Sequence, residues 1–286
     1  MRATLRALVL FTAVCSMAPA PSAMARPLQD VKSSGTLRVA VYNDYKPWSW
    51  EENGALKGID VDIGAALGRA LGVKVDFRAL RAADDVYDPT DGDLLNGVVR
   101  GPVTGGGASD VMLHVPHDPK IAEDNDKVKL TAPYQTESLA MAVDPAKADA
   151  AKDFSLFERE KVAVDLGSLA DVILLSARDH KLIDNVVHVR GESGAVEAYD
   201  KGEVVAFYGE AALVEALARR STRPAVIIYP RDKLARDWLV GGAVKADSAD
   251  LGDAIDRAIA AMAKSGELKR IFASYGVAWR PPPQEN

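Results

Sequence analysis

Tyr45, Trp48 and Trp50 lie within one short stretch of the chain, YNDYKPWSW. Aromatic rings gathered this closely can wall a ligand cleft. They offer large apolar contact to flat or aliphatic molecules, and their faces attract cations. Strand alternation puts Trp48 and Trp50 on one side and Ser49 on the other. Tyr45 and Trp48 are expected to line a cleft, with Trp50 as a third candidate. The competing reading makes one or two of them hinge or core aromatics.

Other residues could do chemistry. Asp60 and Asp62 flank Val61 where a helix begins. Paired carboxylates there suggest metal or acid–base work, but acids in a first turn also cap the helix and favour its dipole, and that is the reading adopted. His114 and His117 bracket Val115 and Pro116. The proline argues against presenting both imidazoles from a helix and no third ligand is suggested, so no metal site is expected. His114, at a strand end, is expected in the cleft. Gly167 and Ser168 open a helix, where exposed N–H groups and a hydroxyl suit an anion, or simply cap the helix. No Gly-x-Ser-x-Gly, phosphate loop, cysteine nucleophile or zinc motif is present, and no cofactor is expected.

The elements that position these residues alternate. Leu37, Val39 and Val41 form a β run that ends in the aromatic loop. An Asn53-Gly54 turn follows, then a helix with Ile63, Leu67 and Leu71 on one face, then a β run at Val73, Val75 and Phe77. This order puts the aromatic loop at the carboxyl end of a parallel strand, where open α/β sheets bind ligands. Strand-like and helix-like segments alternate on to Tyr229, so the fold class is α/β. A new unit begins near Tyr134. Leu251, Ile255, Ile259 and Met262, then Leu268, Ile271, Phe272 and Tyr275, give two amphipathic helices near the end.

Residues 1–25 read as a cleavable signal peptide, with Arg2 and Arg6 ahead of an apolar run and Ala23-Met24-Ala25 as cleavage site. The sole cysteine, Cys15, lies inside that segment; a lipid anchor there would need a smaller residue than Val14 before it. No disulfide is expected. Net charge is −6, and removing the signal makes the remainder more acidic. That argues against nucleic acid or an anionic membrane surface as partner.

Leu37-Arg-Val-Ala-Val41, Tyr45-Lys-Pro-Trp48, Gly58-Ile-Asp-Val-Asp-Ile63, Ala132-Pro-Tyr134, Gly202 to Glu210 and Ser265-Gly266 with Tyr275-Gly276 follow one another in an order that resembles the periplasmic solute-binding proteins of family 3, the amino-acid type. The resemblance runs from about Gly35 to Trp279. It implies a two-lobe, type II periplasmic binding protein fold of two hinge-linked α/β domains that close on a ligand. The expected limits are 36–132 for the first part of lobe 1, 133–228 for lobe 2, 229–279 for the return to lobe 1, and 280–286 for a disordered tail. It also implies a periplasmic, non-enzymatic, monomeric protein that hands a small polar or aromatic solute to an inner-membrane ABC permease.

The resemblance puts Gln135 and Glu137 near the first crossover, as polar candidates. It puts Glu210 where amino-acid binders hold the ligand amine with an aspartate. Such binders grip the α-carboxylate with an arginine shortly after the strand that ends near His114. Here that stretch reads His117-Asp-Pro-Lys120, with no arginine, and lysine lacks the fork. Asp91 to Pro119 also looks like a subgroup associated with periplasmic quinoprotein (PQQ-dependent) alcohol dehydrogenases, which implies an accessory role as alternative. A third possibility is a dehydratase acting on cyclohexadienyl acids, with Glu210 or Glu137 as its acid.

Overall fold

The computed structural model describes residues 26–81, 91–101, 106–230 and 236–283. Residues 1–25, read above as a signal peptide, most of the acidic stretch after Arg81, Gly105 and the last three residues lie outside them.

Helix α1 (Leu28–Ser34) leads into strand β1 (Thr36–Tyr42). Short strands β2 (Asp44–Tyr45), β3 (Ser49–Glu52) and β4 (Ala55–Lys57) form an antiparallel flap around the Asn53-Gly54 turn. Helix α2 (Ile59–Leu71), strand β5 (Lys74–Leu80), helix α3 (Asp91–Leu95) and strand β6 (Val111–Pro116) follow. After helix α4 (Pro119–Asp124) come β7 (Val128–Leu130), β8 (Gln135–Glu137) and β9 (Leu139–Val143). Then β10 (Val162–Asp165), α5 (Leu169–Ser176), β11 (Val186–Val189), α6 (Glu192–Asp200), β12 (Ala206–Glu210), α7 (Ala211–Ala218) and β13 (Val226–Ile228) alternate. The chain ends with β14 (Trp238–Lys245), α8 (Ala249–Ser265) and α9 (Glu267–Ser274).

Two larger sheets result. The first runs β5-β1-β6-β14-β7, with β8 also on β14, and the second runs β11-β10-β12-β9-β13. β1 is parallel to β5 and β6, as the strand–helix–strand order requires, while β14 returns antiparallel. Each lobe has its own apolar core. Leu37, Ile63, Leu67, Ile255, Ile259 and Phe272 pack in the first; Phe154, Phe157, Val164, Leu174 and Tyr208 pack in the second. The predicted apolar faces of α2 and α8 are the buried ones. The fold is the two-lobe type II arrangement.

The strand pairing moves one expected limit. Gln135–Glu137 pairs with Trp238–Val240 in the first sheet, so the chain changes sheets at Ser138 rather than at residue 133. The tail is also revised at its start, because Arg280 is held in place. Its backbone N–H donates to Gln135 Oε1 at 2.9 Å, and its guanidinium reaches Glu215 at 2.6 Å and Glu137 at 3.2 Å. A cation beside two buried carboxylates has strong reason to stay ordered.

Helix α2 lies close on the sheet because it carries glycines on that side. A methyl group on Gly68 would sit 2.3 Å from Val75 Cγ2, and one on Gly64 would sit 2.7 Å from Phe77. Helix propensity alone favours Gly68→Ala by up to about 1 kcal/mol. The overlap with Val75 reverses the sign, and the substitution is expected to lower unfolding free energy by about 1–3 kcal/mol in urea denaturation. Unchanged or increased stability would show that α2 can lift off the sheet freely.

Candidate functional site

A cleft of about 860 Å³ lies between the lobes. Lobe 1 supplies Tyr42, Asp44 and Tyr45 from the end of β1 and the flap, Asp93 and Leu94 from α3, and the stretch around His114 from β6. Lobe 2 supplies Leu169 and Glu210, while Asp237, Trp238 and Leu239 come from the second crossover. The site thus forms at the strand ends of both sheets.

His114 reaches the cleft through a β-bulge. Val115 pairs with Gly241 and Leu113 with Gly242, which leaves His114 as the extra residue, with φ of 60°. A non-glycine residue there is uncommon and needs outside support. Tyr134 gives it: the His114 N–H donates to the Tyr134 hydroxyl at 2.9 Å, and that hydroxyl donates to Asp60 Oδ1 at 2.6 Å. His114 Nδ1 lies 3.3 Å from Asp60 Oδ2. Its ring packs edge-on between Tyr45 and Trp48, with centroids 4.7 and 4.5 Å away. Burial, then the Asp60 charge, hold the Tyr134 phenol well above its ordinary value, so it stays a proton donor.

Asp60 therefore does not cap α2. It is 1 % exposed and serves Tyr134, while Asp62 accepts from Tyr275 at 2.9 Å, and the cap position is Gly58 with no side-chain bond. Both acids face inward because later segments bring phenols to them, which spacing along α2 alone does not reveal.

Of the candidates, Tyr45, His114 and Glu210 meet in the cleft. The Tyr45 hydroxyl spans the lobes and donates to Glu210, 2.6 Å from Oε2 and 2.8 Å from Oε1. Burial, then Glu210, raise the Tyr45 phenol well above its usual range. The others stand elsewhere. Trp48 is fully buried, against His114 and Phe272, and supports the wall from behind. Trp50 packs on Tyr275 and does not line the cleft. Gln135 is buried and bonds Ala278 and Arg280, so it belongs to the crossover.

Gly167 and Ser168 do not line the cleft. Ser168 accepts from the Asp171 N–H at 3.2 Å, and the Gly167 N–H donates to Asp171 Oδ2 at 2.8 Å. Asp171 also pairs with His188 at 2.9 Å. The expected anion turn is thus filled by the chain's own carboxylate. Sequence reasoning passed over Asp93, Asp237 and Trp238, and did not count Tyr42 of the aromatic loop among the site residues. Tyr42 was legible as the last residue of β1; Trp238 depends on where the second crossover runs, and no local pattern marks that.

Residues 37–92 match the family model of bacterial extracellular solute-binding proteins, family 3. A probable amino-acid ABC transporter periplasmic-binding protein of Sinorhizobium fredii is 24 % identical over 259 residues, which span 87 % of this chain and 79 % of that protein. An ancestral cationic amino acid solute-binding protein superposes with a TM-score of 0.67 at 22 % identity, over 87 % of this chain and 99 % of the other. An amino acid ABC transporter substrate-binding protein from Streptococcus pneumoniae, bound to L-arginine, gives 0.59 at 18 % identity, over 87 % and 97 %. Two hinge-linked α/β lobes facing a common cleft define a type II binding-protein architecture. The chain is similar to the solute-binding proteins of family 3 over residues 37–92 and shares their two-lobe fold throughout the described residues.

Glu137 is 1 % exposed and lies behind this cleft, paired with Arg280. Burial pushes its carboxyl up to about 7 despite the pull of Arg280. The folded protein binds a proton there that the unfolded chain releases in the ordinary carboxylate range. That stabilisation is complete below about pH 4 and is lost as pH rises through about 7. Glu137→Gln, neutral throughout, is expected to gain on the order of 3 kcal/mol relative to the unsubstituted protein between pH 5 and 8 in urea unfolding. Parallel pH profiles would contradict this.

Proposed function

We propose that the protein is the periplasmic solute receptor of an ABC transport system and closes its lobes on a small polar or aromatic solute. The observation that carries this is a single cleft lined by lobe 1, lobe 2 and the second crossover together. Residues from both lobes enclose a solute by hinge motion about the crossovers, and that motion presents a different outer surface to a membrane permease. The relatives are described as amino-acid receptors of such systems, which supports the same role here. The apolar rings and polar groups of the cleft suit reversible capture.

A catalytic reading is less well supported. A dehydratase needs a positioned acid in the cleft. Glu137, whose carboxyl is raised, faces Arg280 and does not line it, while Glu210 is engaged by Tyr45. Nothing in the cleft favours the quinoprotein accessory role, and a pull-down from periplasm that retains such a dehydrogenase would restore it.

Receptor function is tested by thermal shift against amino acids, organic acids, sugars and amines. At a hundred times Kd, a bound solute stabilises by about 2.7 kcal/mol, which moves the melting temperature by several degrees in a chain of this size. Silence across the whole panel would count against a receptor.

A further inference from the structure

We infer that the cleft selects an organic cation that carries no carboxylate. This rests on the receptor reading and names the chemistry of its solute. Five carboxylates line the cleft, those of Asp44, Asp93, Asp118, Glu210 and Asp237, and no lysine or arginine does so among the described residues. The walls between them are aromatic and apolar, with Tyr42, Tyr45, Trp238, Leu94 and Met112. Charge of one sign between low-dielectric walls concentrates its field in the opening and raises the local level of the opposite ion. Ring faces add to the attraction for a cation.

A ligand carboxylate would find no such reception. The lobe 1 stretch after β6 offers Lys120, and that lysine is turned to Asp124 at 2.6 Å in α4, away from the cleft lining. The first turn of α5 has N–H donors, but Asp171 already accepts from Gly167 and is fixed there by His188. Its negative charge repels a second carboxylate at that turn. The basic side chains that line the cleft among the described residues are His114, whose ring already lies 3.3 Å from Asp60, and His117, next to Asp118 in the chain. An anionic group would therefore enter a cleft of five carboxylates with no lysine or arginine to pair with it, and burying a poorly paired charge is strongly unfavourable.

The positive group has a defined place. Glu210 stands in the cleft with both oxygens turned to the Tyr45 hydroxyl. A carboxylate has about four acceptor sites, so an ammonium or guanidinium can share it with Tyr45. Glu137 lies behind, and its charge and that of Glu210 act on each other and on Tyr45. Its Oε2 is buried and makes no hydrogen bond. Glu210 thus has acceptor capacity beyond the Tyr45 hydroxyl, with the Glu137 carboxyl behind it, while the exposed Asp44, Asp118 and Asp237 steer cations inward.

The test compares amino acids with their decarboxylated amines by titration calorimetry on the intact protein: arginine with agmatine, lysine with cadaverine, histidine with histamine, tyrosine with tyramine. At least one amine is expected to bind ten-fold or more tightly than its parent amino acid. Glu210→Gln is expected to weaken that amine at least ten-fold, and Asp237→Asn to weaken it less, with melting temperature checked for both. If an amino acid binds as tightly as its amine, the inference fails and the receptor role stands. The inference also fails, with the receptor role intact, if only neutral or acidic solutes bind. If no solute of any class binds, both fail.

Discussion

The Tyr134 hydroxyl is the point on which the cleft is built. It lies in the dry interior of lobe 1, donates to Asp60 and accepts from the backbone of His114. Three segments far apart in sequence meet there: the first turn of α2, the bulge in β6 and the residue just before β8. Each needs the other two. Asp60 is a buried carboxylate and requires a donor. The His114 backbone is held in a left-handed conformation and requires an acceptor for its N–H. Tyr134 requires partners for its polar end. Without this bond the bulge has no support, and the wall formed by Tyr45, His114 and Trp48 loses its floor.

From that point the architecture divides its labour. Lobe 1 supplies an aromatic wall, with Trp48 buried behind His114 and with Tyr42, Tyr45 and His114 presented to the opening. Lobe 2 supplies Glu210 at the end of β12. The hinge region is tied together by Arg280, which bonds the first crossover at Gln135, Thr136 and Glu137 and reaches Glu215 on α7. Arg280 thereby places two buried carboxylates, Glu137 and Glu215, on one guanidinium beside the crossover.

Much of the fold was legible because it depends on periodicity. The apolar spacing of α2 and α8 and the β-branched runs of β1 and β10 are local signals, and burial follows them. The site was legible only in part. Tyr45 sits in a loop that must follow β1, and Glu210 ends a clear strand, so both could be placed. Trp48 could not, since an aromatic residue in a loop reads the same whether it faces solute or core. Phe272, more than two hundred residues later, decides the matter by packing on it. Gly167 and Ser168 have the right types for an anion site, and the helix cap is legible in them. Only the structure brings Asp171 back to Gly167 and fills the turn. Arg280 was hidden in a proline-rich end whose composition suggests a tail, because its partners lie on elements distant in sequence.

A crystal structure with the tightest-binding solute is the most direct test of this account. It should place the solute between the lobes, its positive group within hydrogen-bond distance of Glu210 and its body against Tyr45 and Trp238. A solute seated outside the cleft, or one whose acidic group lies on the Gly167–Ser168 turn in place of Asp171, would contradict it.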